Sequence, residues 1–361
     1  MNRDIVCIGG SAGGLPPLRD LASALPADLP AAVFVVTHMG ADNPGVLASL
    51  LQAKSRLRVE MPADGQPIAH GRVYVARPDF HLLVKRDRIG VVRGPRENGF
   101  RPAVDPLFRT AARAYGARAI GIVLSGGLDD GAAGLLAIRR AGGTTIVQDP
   151  EDAQVPQMPL NALAQLEPDF VLETRSMAAT VVDLCREPLR DFAPPADDDC
   201  ADPAEFIADA LRTGAFNRPA SPFSCPECEG VLWERAGEGG YRCHVGHGFT
   251  PQSLLAAKDM TLERALWTSL RILEENVALR RRMVDRVERH FPGLVERYRA
   301  DADEAERHAD VVRKLLRKDD AATVRAEAAP ATRPRGRARA FARSPSRNRS
   351  RRKAASERVG E

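Results

Sequence analysis

No stretch of the chain approaches the roughly 20 consecutive apolar residues of a membrane-spanning helix, which excludes an integral helical membrane protein. The first residues, Met-Asn-Arg-Asp, run straight into a strand-like segment and lack the apolar and small-residue regions of a secretory signal. A soluble, cytoplasmic protein with no membrane insertion is expected. Cysteine is scarce, six in 361 residues, and Cys225, Cys228 and Cys243 cluster with histidines. That usage argues against a disulfide framework and for a metal site in a reducing compartment. The phosphate-binding signatures are missing as well. In CIGGSAGG, residues 7–14, neither G-x-G-x-x-G nor G-K-[S/T] can be read.

What can be read there is G-x-S-x-G, as Gly9-Gly10-Ser11-Ala12-Gly13. This is the spacing of a sharp strand-to-helix turn that exposes a serine hydroxyl. Taken alone, it describes a structural glycine turn equally well.

The formal net charge of +4 is an average over two unlike parts. Residues 331–361 hold ten Arg and one Lys against two Glu, a net of +9, which leaves −5 for residues 1–330. The basicity belongs to a tail, poor in apolar residues and rich in Arg, Ser, Ala and Pro, for which disorder is expected.

Residues 4–9, 32–37 and 118–125 are short apolar runs rich in β-branched residues, and 144–148 and 169–172 read similarly. Helical patterns over 15–25, 44–54, 105–115 and 131–141 lie between several of them. The alternation predicts a doubly wound α/β fold, a mainly parallel sheet with helices on both faces. Residues 57–93 read instead as an antiparallel insertion or sheet edge. The predicted division is a catalytic domain over 1–186, an acidic, proline-rich linker over 187–221 and a small Cys/His module over 222–250. Amphipathic helices over 251–318 and a disordered Arg-rich tail over 319–361 follow.

A reactive serine needs a base and a group to orient that base. In doubly wound folds such groups collect at the carboxyl ends of the strands. Of seven histidines, four lie beyond the linker, and only His38 directly follows a strong candidate parallel strand, AVFVVT. Among the acids, Asp129 and Asp130 follow GIVLSGGL. Each of these residues is also an ordinary loop or cap residue, and Asp130 reads equally as the N-cap of the next helix.

IGGSAGGLPPL, VVTHMG, RPAVDPLF and LSGGLDDGAAG, in that order, resemble the catalytic domain of the chemotaxis protein-glutamate methylesterases, the CheB type, over roughly residues 3–185. The resemblance implies a triad of Ser11, His38 and Asp130, with backbone N–H groups of Ala12 and Gly127 at the oxyanion. It implies no cofactor for catalysis, methylated chemoreceptors as partners, and hydrolysis of their glutamate methyl esters, with deamidation of receptor glutamine beside it. Gly127 stands where receiver-fused members carry a methionine. Only three residues precede the first strand, so the chain resembles the branch without a receiver domain, and restraint is expected from the helices after the linker, folding back or docking on a separate regulatory protein.

Cys225-Pro-Glu-Cys228, fourteen residues and then Cys243, with His244 and His247 nearby, has the spacing of a zinc ribbon. A structural zinc held by Cys225, Cys228, Cys243 and His247 is expected, because His244 is awkwardly placed beside Cys243. Glu229 departs from the glycine common after the second cysteine of such knuckles. A nucleic-acid role for ribbon and tail, or a scaffold role for ribbon and helices, is the alternative reading. The ribbon's own acids, Glu227, Glu229, Glu234 and Glu238, oppose contact with phosphate. On this reading the module is independent of the esterase: chelation would unfold it and spare the activity, and truncation near residue 190 would leave activity equal or higher.

Overall fold

The computed structural model describes residues 1–189, 220–234, 240–287 and 292–328. The linker expected over 187–221 and the tail expected over 319–361 therefore fall largely outside the described residues.

β1 (Ile5–Gly10) is buried along its whole length. It pairs in parallel with β2 (Ala32–Thr37) on one side and β7 (Ala119–Val123) on the other. Around this centre the strands run in the order β3-β4-β2-β1-β7-β8-β9, all in parallel. β3 is Arg58–Glu60, β4 Arg72–Val75, β8 Thr144–Gln148 and β9 Phe170–Leu172. The unbroken apolar runs in the sequence follow from this, since a central parallel strand is covered on both faces. Ile5 and Cys7 of β1 face one core with α3 (Val104–Tyr115), α4 (Ala132–Arg140) and α5 (Gln157–Gln165). Val6 and Ile8 face the other, with α1 (Leu15–Ala24), α2 (Leu47–Gln52) and α6 (Thr174–Arg186). The expected doubly wound sheet is present.

The segment 57–93 divides. β5 (His81–Lys85) and β6 (Arg88–Val92) form the antiparallel hairpin that the alternating pattern predicts. β3 and β4 instead extend the parallel sheet at its edge. They are short and flanked by arginines, and alternation alone carries no strand direction.

Further along the chain, β10 (Leu232–Glu234), β11 (Tyr241–Cys243) and β12 (Gly248–Phe249) form a small antiparallel sheet around Cys225, Leu232, Cys243, Phe249 and Leu254. Two long helices follow, α7 (Pro251–Val287) and α8 (Pro292–Ala328). Glu274 pairs with Arg313 and Arg281 with Glu306, so the two run antiparallel, with Leu270, Ala309 and Leu316 between them. α8 continues to Ala328, past its expected end near Lys318. Among the described residues no helix is long and apolar enough to cross a membrane.

Candidate active site

Chain direction diverges at β1: the next strand, β2, lies on one side and β7 on the other. Ser11, His38 and Asp130 follow these three neighbouring strands at their carboxyl ends, the crevice where such folds bind ligands. The turn that carries Ser11 needs its glycines. Gly13 adopts φ +70°, and a Cβ there would sit 2.7 Å from Ser125 Oγ; a Cβ on Gly9 would sit 2.2 Å from Val104 Cγ1. Ser125 clamps the turn from β7: its carbonyl accepts the Ser11 N–H at 2.9 Å, and its hydroxyl donates to Ala12 O at 2.9 Å.

Ser11 Oγ lies 3.0 Å from His38 Nδ1, and His38 Nε2 lies 2.7 Å from Asp130 Oδ2. An ionised carboxylate only accepts, so Nε2 carries the imidazole proton and Nδ1 offers its lone pair to the serine hydroxyl. The His38 side chain is 4% exposed and Asp130 fully buried. The Phe100 ring stacks on the imidazole, with centroids 3.7 Å apart and 6° between planes. Beside His38 opens a cavity of about 400 Å³, walled by Met39, Asp79, Arg96, Phe100 and Arg101.

Burial alone would raise the Asp130 carboxyl. The hydrogen bond and charge of His38, the Val104 N–H at 2.6 Å and Asn98 Nδ2 at 2.9 Å outweigh it and hold the group below the ordinary carboxylate range. Asp130 therefore stays ionised, as the imidazole's partner must. Asp105, from the RPAVDPLF motif, is pushed up to about 7, first by burial and then by the Asp130 charge. It accepts the N–H groups of Gly131 and Gly134 at 3.0 and 2.7 Å, tying α3 to the loop that bears Asp130.

Asp129 points elsewhere, accepting the Thr250 hydroxyl at 2.8 Å, which leaves Asp130 as the partner of His38. Burial pushes Asp129 up to about 6 from an ordinary 3.8, against the hydrogen bond from Thr250 and with the charge of Asp130. Folding thus favours its protonated form. That stability is full below about pH 4 and is lost as pH rises through about 6. Asp129→Asn should therefore stabilise the chain more at pH 8 than at pH 4. The gain is up to about 3 kcal/mol, because every tenfold weakening of the acid costs the ionised form about 1.4 kcal/mol. Urea unfolding at the two pH values measures it, and an equal effect at both would show that folding does not raise the Asp129 carboxyl.

The expected oxyanion donors are less directly placed. No group among the described residues accepts from the N–H of Ala12 or Gly127. Gly126 packs so close that a Cβ on it would come within 2.9 Å of Ser11 Cβ. Sequence reasoning missed Asn98, Phe100 and Asp105. Only the Asn98-Gly99 pair carries a signal: Asn-Gly marks left-handed backbone, and Asn98 has φ +54°.

In the small module, Cys225, Cys228, Cys243 and His247 offer ligand atoms that all lie within 4.8 Å of one another, and His244 is not among them. Cys228 and Cys243 Sγ are 3.6 Å apart, and His247 Nδ1 is 3.7 and 3.5 Å from Cys225 and Cys243 Sγ. A tetrahedron with metal–sulfur bonds of about 2.3 Å and metal–nitrogen bonds of about 2.0 Å has edges of about 3.5–3.8 Å, so the donor set fits a metal ion. Glu229 sits at φ +60°, the backbone region that makes glycine common at this position.

Residues 6–181 match the CheB methylesterase family model. A Leptospira interrogans protein, provisionally named protein-glutamate methylesterase/protein-glutamine glutaminase, is 34% identical over 185 residues, which cover 51% of this chain and 96% of that one. A Methanosarcina mazei protein-glutamate methylesterase/protein-glutamine glutaminase 2 is 38% identical over 195 residues, 51% of this chain and 52% of its own length. The crystal structure of the Thermotoga maritima CheB methylesterase catalytic domain aligns with a TM-score of 0.49 at 32% identity, over 51% of this chain and all of that one.

Proposed function

As this chain belongs to the CheB methylesterase family, we propose that it hydrolyses glutamate γ-methyl esters on chemoreceptor proteins, with Ser11 as nucleophile. The observation that carries the reading is the continuous relay from Ser11 Oγ through His38 to the buried, ionised Asp130. Ser11 Oγ attacks the ester carbonyl carbon while His38 Nδ1 takes its proton, and the oxyanion is held by the N–H groups of Ala12 and Gly127. Collapse of this intermediate returns the proton from Nδ1 to the departing methoxide, and methanol leaves. Water then repeats the sequence on the acyl-serine: Nδ1 takes a proton from water, the hydroxide oxygen bonds to the carbonyl, and Ser11 departs with the proton. The products are a glutamate side chain and free Ser11. Glutamine follows the same course with ammonia as leaving group, in keeping with the second activity in the relatives' names.

Phe100 shields one face of the imidazole from water, and the cavity opens beside His38. No cofactor takes part. The Cys/His module holds a Zn²⁺ through Cys225, Cys228, Cys243 and His247; four protein ligands leave it no open position, so its role is structural. Release of methanol from a methylated receptor fragment tests the esterase reading.

A further inference from the structure

Residues 94–101 join β6 to α3 and face two ways. Toward the crevice, Phe100 lies on His38, and Asn98 Nδ2 donates to Asp130 Oδ1 at 2.9 Å and to Asp105 Oδ2 at 3.1 Å. Away from it, the same segment is gripped by the Cys/His module. Asn98 Oδ1 accepts the Thr250 N–H and the Ser253 hydroxyl, both at 3.0 Å, and the Asn98 N–H donates to Gly248 O at 2.8 Å. Glu97 accepts from Arg242 at 2.9 Å and, on its α3 side, from Arg109 at 2.6 Å. Glu97, Asn98, Arg242, Thr250 and Ser253 are all at most 6% exposed. A buried network of this kind is costly to leave half-satisfied.

Two of the gripping residues sit directly on the metal-binding strands, while Thr250 follows β12 at once and Ser253 lies in the first turn of α7. Arg242 precedes Cys243 on β11, and Gly248 follows His247 and opens β12. Among the described residues the core around the module is five buried side chains, two of them the ligand cysteines Cys225 and Cys243 and one, Leu254, from α7, too few to hold its strands in place without the ion. Loss of the ion therefore releases β11 and β12, and with them the hold on Asn98.

We propose that the Cys/His module is a built-in clamp on the active site: through Asn98 it positions Asp130, so that ester hydrolysis depends on the module's metal. Asn98 is a positioning residue, acting on Asp130 and touching no substrate. The proposal rests on the esterase reading above, and it reverses the expectation from linear order that the module and the esterase are independent.

The test uses the full chain, loaded with Zn²⁺, stripped by a chelator and reloaded. Turnover of a chromogenic acetate ester is followed together with the downfield NMR resonance of the imidazole proton between His38 and Asp130. Stripping should lower kcat about 10–100-fold with KM nearly constant, the cost of a misplaced catalytic group, and should shift or broaden that resonance. Reloading should restore both. Asn98→Gly suits the left-handed backbone there. Loaded with Zn²⁺, it should lose a similar factor, and stripping should then cost it little more, because metal and side chain act along one route. The clamp is wrong if the chain binds no Zn²⁺, if the stripped chain keeps its kcat and its resonance, or if stripping costs Asn98→Gly as much as it costs the unaltered chain. Failure of the esterase reading looks different: Ser11→Ala would then turn over the ester as the unaltered chain does.

Discussion

Ser11→Ala is expected to lower ester hydrolysis by about three to four orders of magnitude while leaving the fold in place. The only side-chain partner of the hydroxyl among the described residues is His38 Nδ1 at 3.0 Å, at a partly exposed position. Its removal takes the partner from His38 Nδ1, but the Ser11 position is open enough for water to replace the hydroxyl there, so the stability cost is about 1 kcal/mol. The rate effect is large because the attacking atom itself is gone. What survives is catalysis by binding and by the oxyanion donors, which stand to the intact triad as a small remainder. Steady-state kinetics on a chromogenic ester, beside thermal unfolding of the same preparation, reads both quantities. A variant that keeps more than about a tenth of the turnover, a barrier change of only about 1.4 kcal/mol, would remove Ser11 from the chemistry.

Asp130→Asn should be nearly as damaging to rate and, unlike Ser11→Ala, damaging to stability. Asp130 accepts four donors: Asn98 Nδ2 and the Asp105 N–H on one oxygen, His38 Nε2 and the Val104 N–H on the other. An amide supplies only one oxygen. If it faces Asn98, the amide nitrogen meets the Val104 N–H and the His38 edge, where it drives the imidazole into the tautomer with its proton on Nδ1. That tautomer cannot accept from Ser11, and the loss is about 10⁴-fold by analogy with the serine-protease triad. If the oxygen faces His38, two amino groups collide at Asn98. Either way a buried donor pair is left unsatisfied, at a cost of about 2–3 kcal/mol. Urea unfolding and kcat near pH 7.5 measure the two effects. A variant with normal stability and turnover within about tenfold of the unaltered chain would mean that His38 does not depend on Asp130 for its tautomer.

How much of this is legible in the sequence depends on the range of the interactions. Ser11, His38 and Asp130 each follow a continuous β-branched run, and central parallel strands, being buried on both faces, announce themselves that way. The rule that sites lie at strand carboxyl ends then brings the three together on sequence alone. The four metal-ligand positions are legible because their chemistry imposes a local spacing. For β3 and β4 the place at the sheet edge is legible but the parallel direction is not, because three or four residues between arginines carry no direction.

Least legible is the seam between module and crevice. Asn98 meets Thr250 and Ser253 across more than 150 positions of chain. Each is a small polar residue whose burial no periodicity reveals. Asp105 lies inside a recognised motif, yet its bonds to Gly131 and Gly134 appear only when α3 and α4 pack together.

The central claim, a methylesterase acting through Ser11, is tested most directly on its proposed substrate. A chemoreceptor cytoplasmic fragment carrying γ-methyl glutamate is incubated with the full chain, and methanol is measured while the fragment's intact mass is followed. One methanol is expected for each methyl group lost from the fragment, at glutamate positions only, and neither product with Ser11→Ala. A fragment that keeps its methyl groups while the same preparation hydrolyses a small ester would contradict the assignment of receptor glutamate esters as substrate. Equal methanol release by the unaltered chain and Ser11→Ala would contradict the mechanism.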